Sequence, residues 1–549
     1  MSQSGSSAEG ARVRWLVAGA FSSTPSGRRF HVSSDTFASE LAKAASHVRF
    51  IVPDRLGAED TRALELSFER LRDFGVADVL TRIPALRDLH ALRDQLTPAL
   101  SPEEAAKRVE AITGPGRLPE AVAAVLRDAA PPPSPAPAPP PAVPADDAAL
   151  VEALLNQAEP PSPATAARAV DAFVKALNPR APASGSSTSA PATAARKSVR
   201  DLLDETVLRC ANDVLIAEPV ARLESAWRGL KWLVDQCPAS AGMAVEVLDV
   251  SRGDLLGTLE DALSGEPFDR PDAVFVVDTN DDVAVLARLA AMGERAQLPI
   301  IAAVAPSLLG LSPDELALGL EEGREQVSES WTELRQDESS RWLCAVVNRV
   351  VVASEARAKR AAFTSPALAV AAMLASSFRD TSAFARIFGQ AGGVRAPTTW
   401  EIPSGREKGL SIPTEVFLPI RAQAKLEEHG VLGLGSGRNA DAVLLAGAPT
   451  VYGGGYAVPL PAQVLTGRIV RFATWVRDQL PPGSGSAEVA SIFSQAAEVF
   501  LFRGATEDGQ LKGEVVPTGS GHGVHVTATV RPEHAGTRFQ LAFTLPLRA

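Results

Sequence analysis

The clearest alternation of strand and helix patterns in the chain lies in DAVFVVDTNDDVAVLARLAAMGERAQLPIIAAVA, residues 272–305. Two apolar runs of strand length, 272–278 and 298–305, flank a segment at 282–296 whose apolar residues recur at helical spacing. A further apolar run, MAVEVLDV at 243–250, precedes them. This alternation of strand and helix signals predicts a sheet with helices on its faces. We therefore expect an α/β core in the C-terminal half of the chain.

A long helical run at 199–236 precedes this core and contains LESAWRGLKWLV at 223–234. One helix face carries only apolar residues, namely Leu223, Trp227, Leu230 and Val234. The pattern predicts that Trp227 and Leu230 belong to a core and that Trp232 packs at its margin or against the N-terminal half. The opposite face is expected to carry Glu224, Arg228 and Lys231.

The C-terminus shows three strand patterns, at 513–518, 524–532 and 538–547. The last one alternates, with Phe539, Leu541, Phe543 and Leu545 on one face. Three strands at one end of a chain can leave an open sheet edge, which a protein must hide or use.

The N-terminal residues indicate a smaller α+β unit. Strands are predicted at 13–19 (VRWLVAG), 48–53 (VRFIVP) and 63–69, where Leu64, Leu66 and Phe68 share one side. Helical spacing follows at 76–96, despite Pro84. About 120 residues of this kind make a modest core, which we expect to need a partner surface.

Two low-complexity segments divide the chain. PPPSPAPAPPPAVPA, residues 131–145, has nine prolines and predicts a semi-rigid spacer of roughly 45 Å. Between the spacers, Leu150, Val151, Leu154 and Leu155 form an apolar stripe on a short predicted helix, which could dock on a partner or pack on its own protein. The predicted organisation is a disordered N-terminus (1–10), a small domain (11–128), a Pro/Ala-rich linker (129–146), a helical island (147–178), a flexible linker (179–195) and a large domain (196–549).

The composition excludes several functional classes. The 549 residues contain 54 Lys and Arg against 65 Asp and Glu, a net charge of −11, with no basic block for nucleic acid. The three cysteines are widely spaced, and no apolar stretch has the length of a membrane span, which indicates a cytoplasmic protein. GLGSGRNAD at 432–440 lacks the strand and spacing of a dinucleotide loop, and His522 and His525 lack further ligands. We expect no catalytic residue, cofactor or metal.

Several motifs resemble the two sheath subunits of bacterial type VI secretion systems. Residues 48–96 are similar to the small subunit, TssB (VipA-like), through Leu66, Phe68, Asp73 and Phe74 and then Leu86, Leu89, Arg93 and Leu96. Five segments are similar to the large subunit, TssC (VipB-like), in that family's order: 223–234, 298–310, 331–347, 409–419 and 468–480. The resemblance implies a natural fusion of two normally separate proteins into one phage-tail-sheath-like protomer.

The resemblance also implies function, partners and sites. The chain would polymerise helically around an Hcp-like inner tube, contact baseplate proteins, and be disassembled by a ClpV-like unfoldase docking on Leu150, Val151, Leu154 and Leu155. Strands exchanged between protomers would involve Val13, Trp15, Val17, Val524, Val526, Phe539, Leu541 and Phe543. The core or subunit interface would include Trp227, Leu230, Trp232, Phe74 and Leu89. A non-contractile scaffold or adaptor is the alternative, and a nucleotide-binding enzyme the least favoured reading.

Overall fold

The computed structural model describes residues 13–95, 102–128, 190–267, 269–389, 392–455, 457, 459–480, 484–496, 511–518 and 521–547. The N-terminal elements are β1 (Val13–Gly19), β2 (Arg28–Val32), α1 (Phe37–Ala44), β3 (Val48–Pro53), β4 (Thr61–Leu66), α2 (Val76–Arg82), α3 (Pro84–Gln95), α4 (Pro102–Thr113) and α5 (Arg117–Asp128).

The described chain resumes with α6 (Ala190–Ile216), α7 (Glu218–Gln236), β5 (Met243–Asp249), α8 (Leu255–Leu263), β6 (Ala273–Asn280), α9 (Val283–Ala296), β7 (Ile300–Val304), α10 (Leu316–Glu322), α11 (Glu329–Gln336), β8 (Leu343–Val347), β9 (Val350–Glu355), β10 (Arg360–Thr364) and α12 (Pro366–Thr381). It continues with β11 (Val394–Arg395), β12 (Trp400–Glu401), β13 (Ser411–Ile412), α13 (Ile420–Glu428), β14 (Val431–Gly433), β15 (Gly435–Ser436), β16 (Ala442–Leu444), α14 (Leu460–Gln479), α15 (Ser486–Ala496), β17 (Leu511–Thr518), β18 (Gly521–Val530), α16 (Pro532–Ala535) and β19 (Phe539–Pro546). The mixed α/β class is as predicted.

A seven-stranded sheet, in the order β14–β8–β7–β6–β1–β5–β2, forms the centre of the fold. Its neighbouring strands pair in parallel, except that β2 runs antiparallel to β5. The strands predicted around 243–250, 272–278 and 298–305 are confirmed as β5, β6 and β7, with α9 between the last two. Asp282 caps α9 by accepting a hydrogen bond from the Ala284 N–H at 2.8 Å.

β1 is an interior strand of this sheet. All seven of its residues pair with β5, and Trp15–Ala18 also pair with β6. Strands covered on both faces are rich in β-branched and large apolar residues, which explains the sequence VRWLVAG. The Trp15 ring is fully buried and lies edge to face against Phe275 and Phe384, at centroid distances of 5.6 and 5.9 Å.

The expected separation of residues 11–128 from 196–549 is wrong. Of the described residues, those up to Pro53, Thr61–Arg82 and those from Leu208 onward form one compact unit. Asp54–Asp60 and the residues between Ile83 and Val207 form a second. The strand pattern of β1 indicates that both its faces are buried, but it carries no information on which strands, some 230 residues away, pair with its edges.

The second unit is helical and contains α3, α4, α5 and the first part of α6. The predicted helix at 76–96 is interrupted, since α2 ends at Arg82 and α3 begins at Pro84. Proline lacks an N–H and clashes with the preceding turn, so it is tolerated at the start of a helix and not inside one. Within this unit the Arg93 Nη1 donates to Asp204 Oδ1 at 3.0 Å.

The three predicted C-terminal strands are confirmed as an antiparallel sheet in the order β17–β18–β19. One face of the sheet packs on α14 and α15 through an apolar cluster that includes Leu465, Ile469, Phe472, Phe493, Val524, Val526 and Val530. The predicted flexible linker, 179–195, overlaps α6, which begins at Ala190. Residues 1–10, 129–146 and 147–178 lie outside the described residues.

Candidate assembly interfaces

Trp227 lies where the N-terminal segment, residues 13–53 and 61–82, meets the C-terminal segment, residues 208–547. Its side chain is fully buried, and Nε1–H donates to the Phe21 carbonyl oxygen at 2.7 Å. Its ring also lies edge to face against Phe21 and Phe37, at centroid distances of 6.0 and 5.4 Å. The predicted apolar face of α7 is confirmed. Its Trp227 binds the turn that follows β1.

Glu224, which was expected on the side of α7 opposite the apolar face, has a fully buried carboxylate. The Arg228 Nε donates to Glu224 Oε1 at 2.8 Å, and Arg360 forms an ion pair with the other oxygen. Arg360 Nη1 also lies 3.1 Å from Glu355 Oε1. The i, i+4 spacing of Glu224 and Arg228 could have indicated their pairing. Arg360 and Glu355 lie on the distant β9–β10 hairpin, and no sequence signal connects them to α7.

This ion network also binds the main chain of the N-terminal segment. Arg228 Nη2 donates to the Leu71 carbonyl oxygen at 3.1 Å, and Glu355 Oε2 accepts from the Val76 N–H at 3.1 Å. Burial lowers the pKa of Arg228, and it lowers the pKa of Arg360 to about 10. Arg360 therefore remains charged at neutral pH, and the buried carboxylates compensate the loss of its hydration.

In the Trp-Arg-Gly-Leu motif at 227–230, the glycine allows the main chain of α7 to lie close to the side chains of Thr364 and Leu368. A Cβ atom on Gly229 would lie 1.9 Å from Thr364 Oγ1 and 2.7 Å from Leu368 Cδ1. Trp232 is buried, and its Nε1–H donates to the Arg395 carbonyl oxygen at 3.2 Å, within the C-terminal segment.

The five residues expected in a core or subunit interface, Trp227, Leu230, Trp232, Phe74 and Leu89, are all buried. They belong to two compact units. Phe74 stacks on Phe68 in the N-terminal segment, with ring centroids 4.4 Å apart, whereas Leu89 belongs to the helical second unit.

Five of the eight residues expected in strands exchanged between protomers lie in strands that are paired on both edges within the chain. Val13, Trp15 and Val17 lie on β1, and Val524 and Val526 lie on β18. Both edges of each strand are already paired within the chain. A strand in this position has no free row of N–H and C=O groups to offer a second chain.

The other three residues, Phe539, Leu541 and Phe543, lie on β19, which pairs with β18 alone among the described strands. The Leu547 N–H donates to the His522 carbonyl oxygen. The N–H groups of successive residues in an antiparallel strand point alternately to its two edges. Since the Leu547 N–H points to β18, the N–H groups of Gln540, Ala542 and Thr544 point to the open edge. The apolar side chains of β19 are only half-buried, so a further element could cover them.

The remaining sequence candidates give no small-molecule site. The glycine-rich stretch 432–440 forms β14, β15 and a turn, and α14 begins only at Leu460. His525 Nδ1 is hydrogen-bonded to Thr544 Oγ1 at 2.9 Å. Within the described ranges, no group of three or more His, Cys, Asp or Glu side chains is arranged to hold a metal ion. The described helices include none long and apolar enough to cross a membrane. The expected docking residues Leu150, Val151, Leu154 and Leu155 lie outside the described residues.

Comparison with known proteins explains why two segments share one sheet. Residues 24–113 match the family described as type VI secretion system, VipA, and residues 198–362 match VipB, described as the EvpB tail sheath N-terminal domain. One chain therefore contains a segment that matches each of these two sheath families. The joint at Trp227 and Glu224 therefore connects a VipA-type and a VipB-type segment.

Related proteins are sheath proteins as well. The type VI secretion system sheath protein TssC1 of Pseudomonas aeruginosa is 24% identical over 332 residues. That match covers 52% of this chain and 66% of the relative, about two thirds of its length. Matching solved structures include the PVC extracellular contractile injection system sheath in its contracted state, with 9% identity, a TM-score of 0.34, and coverage of 59% of this chain and 77% of that chain. The anti-feeding prophage sheath in its contracted state matches with 14% identity, a TM-score of 0.32, and coverage of 56% and 75%.

Proposed function

We propose that this chain is the repeating subunit of a contractile type VI secretion sheath, which polymerises helically around an inner tube and drives it into a target cell. The observation that carries the proposal is the presence of both sheath-family segments in one chain, with β2 of the VipA-matched residues pairing with β5 of the VipB-matched residues in one sheet. One polypeptide then provides the complete protomer for which the families use two. The chain has a structural role and performs no catalysis.

The open edge of β19 is the proposed contact between protomers. An added strand would satisfy the edge N–H and C=O groups and cover the half-buried side chains of Phe539, Leu541 and Phe543. Main-chain bonds of this kind hold neighbours together while the bodies they connect rotate. Contraction would then proceed from a metastable extended packing to a more favourable one, without a nucleotide in the sheath.

Electron microscopy tests the proposal. The chain, produced with its tube and baseplate proteins in a bacterial cytoplasm, is expected to form hollow helical tubes in extended and contracted forms. Particles that remain single protomers under these conditions would refute a sheath.

The proposed partners are further copies of the chain, an Hcp-like tube protein, baseplate proteins and a ClpV-like unfoldase. The leucine stripe at Leu150, Val151, Leu154 and Leu155 would dock on the unfoldase as a short amphipathic helix. The sheath would act in the cytoplasm, attached to an envelope-anchored apparatus.

A non-contractile scaffold or adaptor is the second candidate, because the two segments could share one sheet in an assembly that does not contract. Tubes that form but keep one length and diameter after tube release would favour this scaffold over a contractile sheath.

A further inference from the structure

Buried side chains of the C-terminal segment bind main-chain groups of the N-terminal segment at the turn after β1. Asp249 Oδ1 accepts hydrogen bonds from the N–H groups of Phe21 and Ser22 at 2.8 and 3.0 Å. Asp278 Oδ2 accepts from the Ala20 N–H at 3.0 Å. Burial raises the pKa of the Asp278 carboxyl, against the opposing effect of that hydrogen bond.

Further side chains of the C-terminal segment bind main-chain groups at both ends of β1. Arg222 donates to the carbonyl oxygens of Ala20 and Ser22 at 2.8 and 3.3 Å. At the other end of β1, Asp272 Oδ2 accepts from the Arg14 N–H at 2.9 Å. The contacts of Trp227, Arg228 and Glu355 follow the same rule, since each reaches a backbone N–H or carbonyl oxygen.

Polar side chains of the N-terminal segment contribute less to this joint. Arg29 Nε donates to Glu246 at 2.6 Å, but the Arg29 side chain is 36% exposed. Arg14 lies 3.9 Å from Asp269, whose side chain is 72% exposed. The Arg14 and Glu246 side chains are only 20% and 15% exposed, but the other member of each pair is open to solvent, and ion pairs open to solvent contribute little to stability. Ser22 is the exception, since its hydroxyl donates to the buried Asp249.

We propose that the C-terminal segment recognises the N-terminal segment by the course of its main chain and by its buried aromatic residues, and not by its charged side chains. Every residue except proline offers the N–H that Asp249 and Asp278 require, and every residue offers the carbonyl that Arg222 requires. This surface would therefore also accept a VipA-type segment whose main chain follows the same course but whose charged side chains differ. The covalent linkage between the segments, and not charge complementarity, then determines which N-terminal segment occupies it.

Competition between nicked chains tests this inference, which does not depend on sheath assembly. A protease site is placed within residues 131–145 of the full chain, and the folded protein is cut there. The fragments are separated in denaturant, and equal amounts of the wild-type and Arg14→Gln/Arg29→Gln N-terminal fragments are refolded together with a limiting amount of the C-terminal fragment. Native mass spectrometry then counts which N-terminal fragment accompanies each C-terminal fragment. We expect the two N-terminal fragments to be used within about threefold of each other.

Two controls calibrate the competition. An N-terminal fragment carrying Phe21→Ala loses the aromatic contact with Trp227, and a C-terminal fragment carrying Asp249→Ala leaves two N–H groups unpaired. Each should lose to wild type by about tenfold or more. Exclusion of the Arg14→Gln/Arg29→Gln fragment by a similar factor would overturn the inference.

The intact chain provides a second measurement that needs no refolding of fragments. Its urea midpoint should fall clearly with Asp249→Ala and change little with Arg14→Gln/Arg29→Gln. Equal decreases in the two midpoints would contradict main-chain recognition.

Discussion

Single buried residues determine how α7 packs within the C-terminal segment. Gly229 leaves the space that Thr364 and Leu368 fill, and Arg360 neutralises the fully buried Glu224. The sequence pattern of α7 indicated Trp227 and Leu230 as core residues, because helical spacing reports a buried face. It placed Glu224 on the wrong side, because a charged residue is buried only when a distant partner compensates it, and that partner lies on another element.

Substitution of Gly229 by alanine is expected to lower the free energy of unfolding by about 2 kcal/mol or more, since the added Cβ would collide with Thr364. Gly257 in α8 is the matched control, because its Cβ would meet no atom within 4 Å. Alanine there should raise the free energy of unfolding by about 0.5–1 kcal/mol through helix propensity. Urea unfolding of both variants measures the difference, and equal effects would contradict the packing argument.

Arg360→Met should cost about 3–5 kcal/mol, because it removes one of the two guanidinium partners of the buried Glu224 carboxylate. Arg438→Met removes an exposed partner of Glu407 and should change the free energy of unfolding by less than about 1 kcal/mol. Thermal and urea unfolding of the two variants provide the comparison. A small effect for Arg360→Met would indicate that Arg228 alone neutralises Glu224.

Position within a sheet decides what each strand can do. β1, β18 and β19 are similar apolar strands in sequence, yet β1 and β18 are paired on both edges and β19 on one. Deleting residues 11–19 therefore cannot distinguish a sheath from an adaptor, since it would remove an interior strand of the central sheet. The edge of β19 is the place for that test. β2, the edge strand of the large sheet, carries Arg28 and Arg29, and charged edges discourage pairing with other chains.

Ala542→Pro is expected to block assembly without unfolding the protomer. It removes an N–H from the open edge of β19 and leaves the bonds to β18 in place, which is where proline is tolerated in a sheet. Ala542→Ser keeps the N–H and is the control. Electron microscopy should show tubes for the serine variant and few or none for proline, with similar unfolding midpoints. Normal tubes from the proline variant would exclude this edge as the contact.

At the scale of the whole molecule, the fusion joins two segments that share one sheet and leaves a long proline-rich connection between them. That connection carries the leucine stripe of the proposed unfoldase-docking helix. In the proposed function the stripe would serve recycling and the sheet would serve assembly, and separate substitutions should then affect the two steps independently.

Leu154→Asp together with Leu155→Asp should abolish binding of a ClpV-like unfoldase and leave tube formation unchanged, because the two charges interrupt the apolar stripe. Asn156→Asp together with Gln157→Asp adds the same charge beside the stripe and should retain binding. Pull-down of the unfoldase and electron microscopy measure the two properties. Retained binding by the leucine variant would refute the docking site, and loss of tubes would indicate that the helix packs on its own protein.

Local sequence patterns predicted the mixed α/β class, strands around 243–250, 272–278 and 298–305, the buried face of α7, and the relation to two sheath families. These follow from local periodicity and from motif order, which neighbouring residues carry. The tertiary structure alone decided that β1 lies between β5 and β6, that Glu224 is buried against Arg360, and that β19 has the open edge. The pairing of β1 and the burial of Glu224 depend on residues more than a hundred positions apart, for which a single sequence contains no local signal. The pattern of a strand such as β19 likewise does not indicate which of its edges stays unpaired.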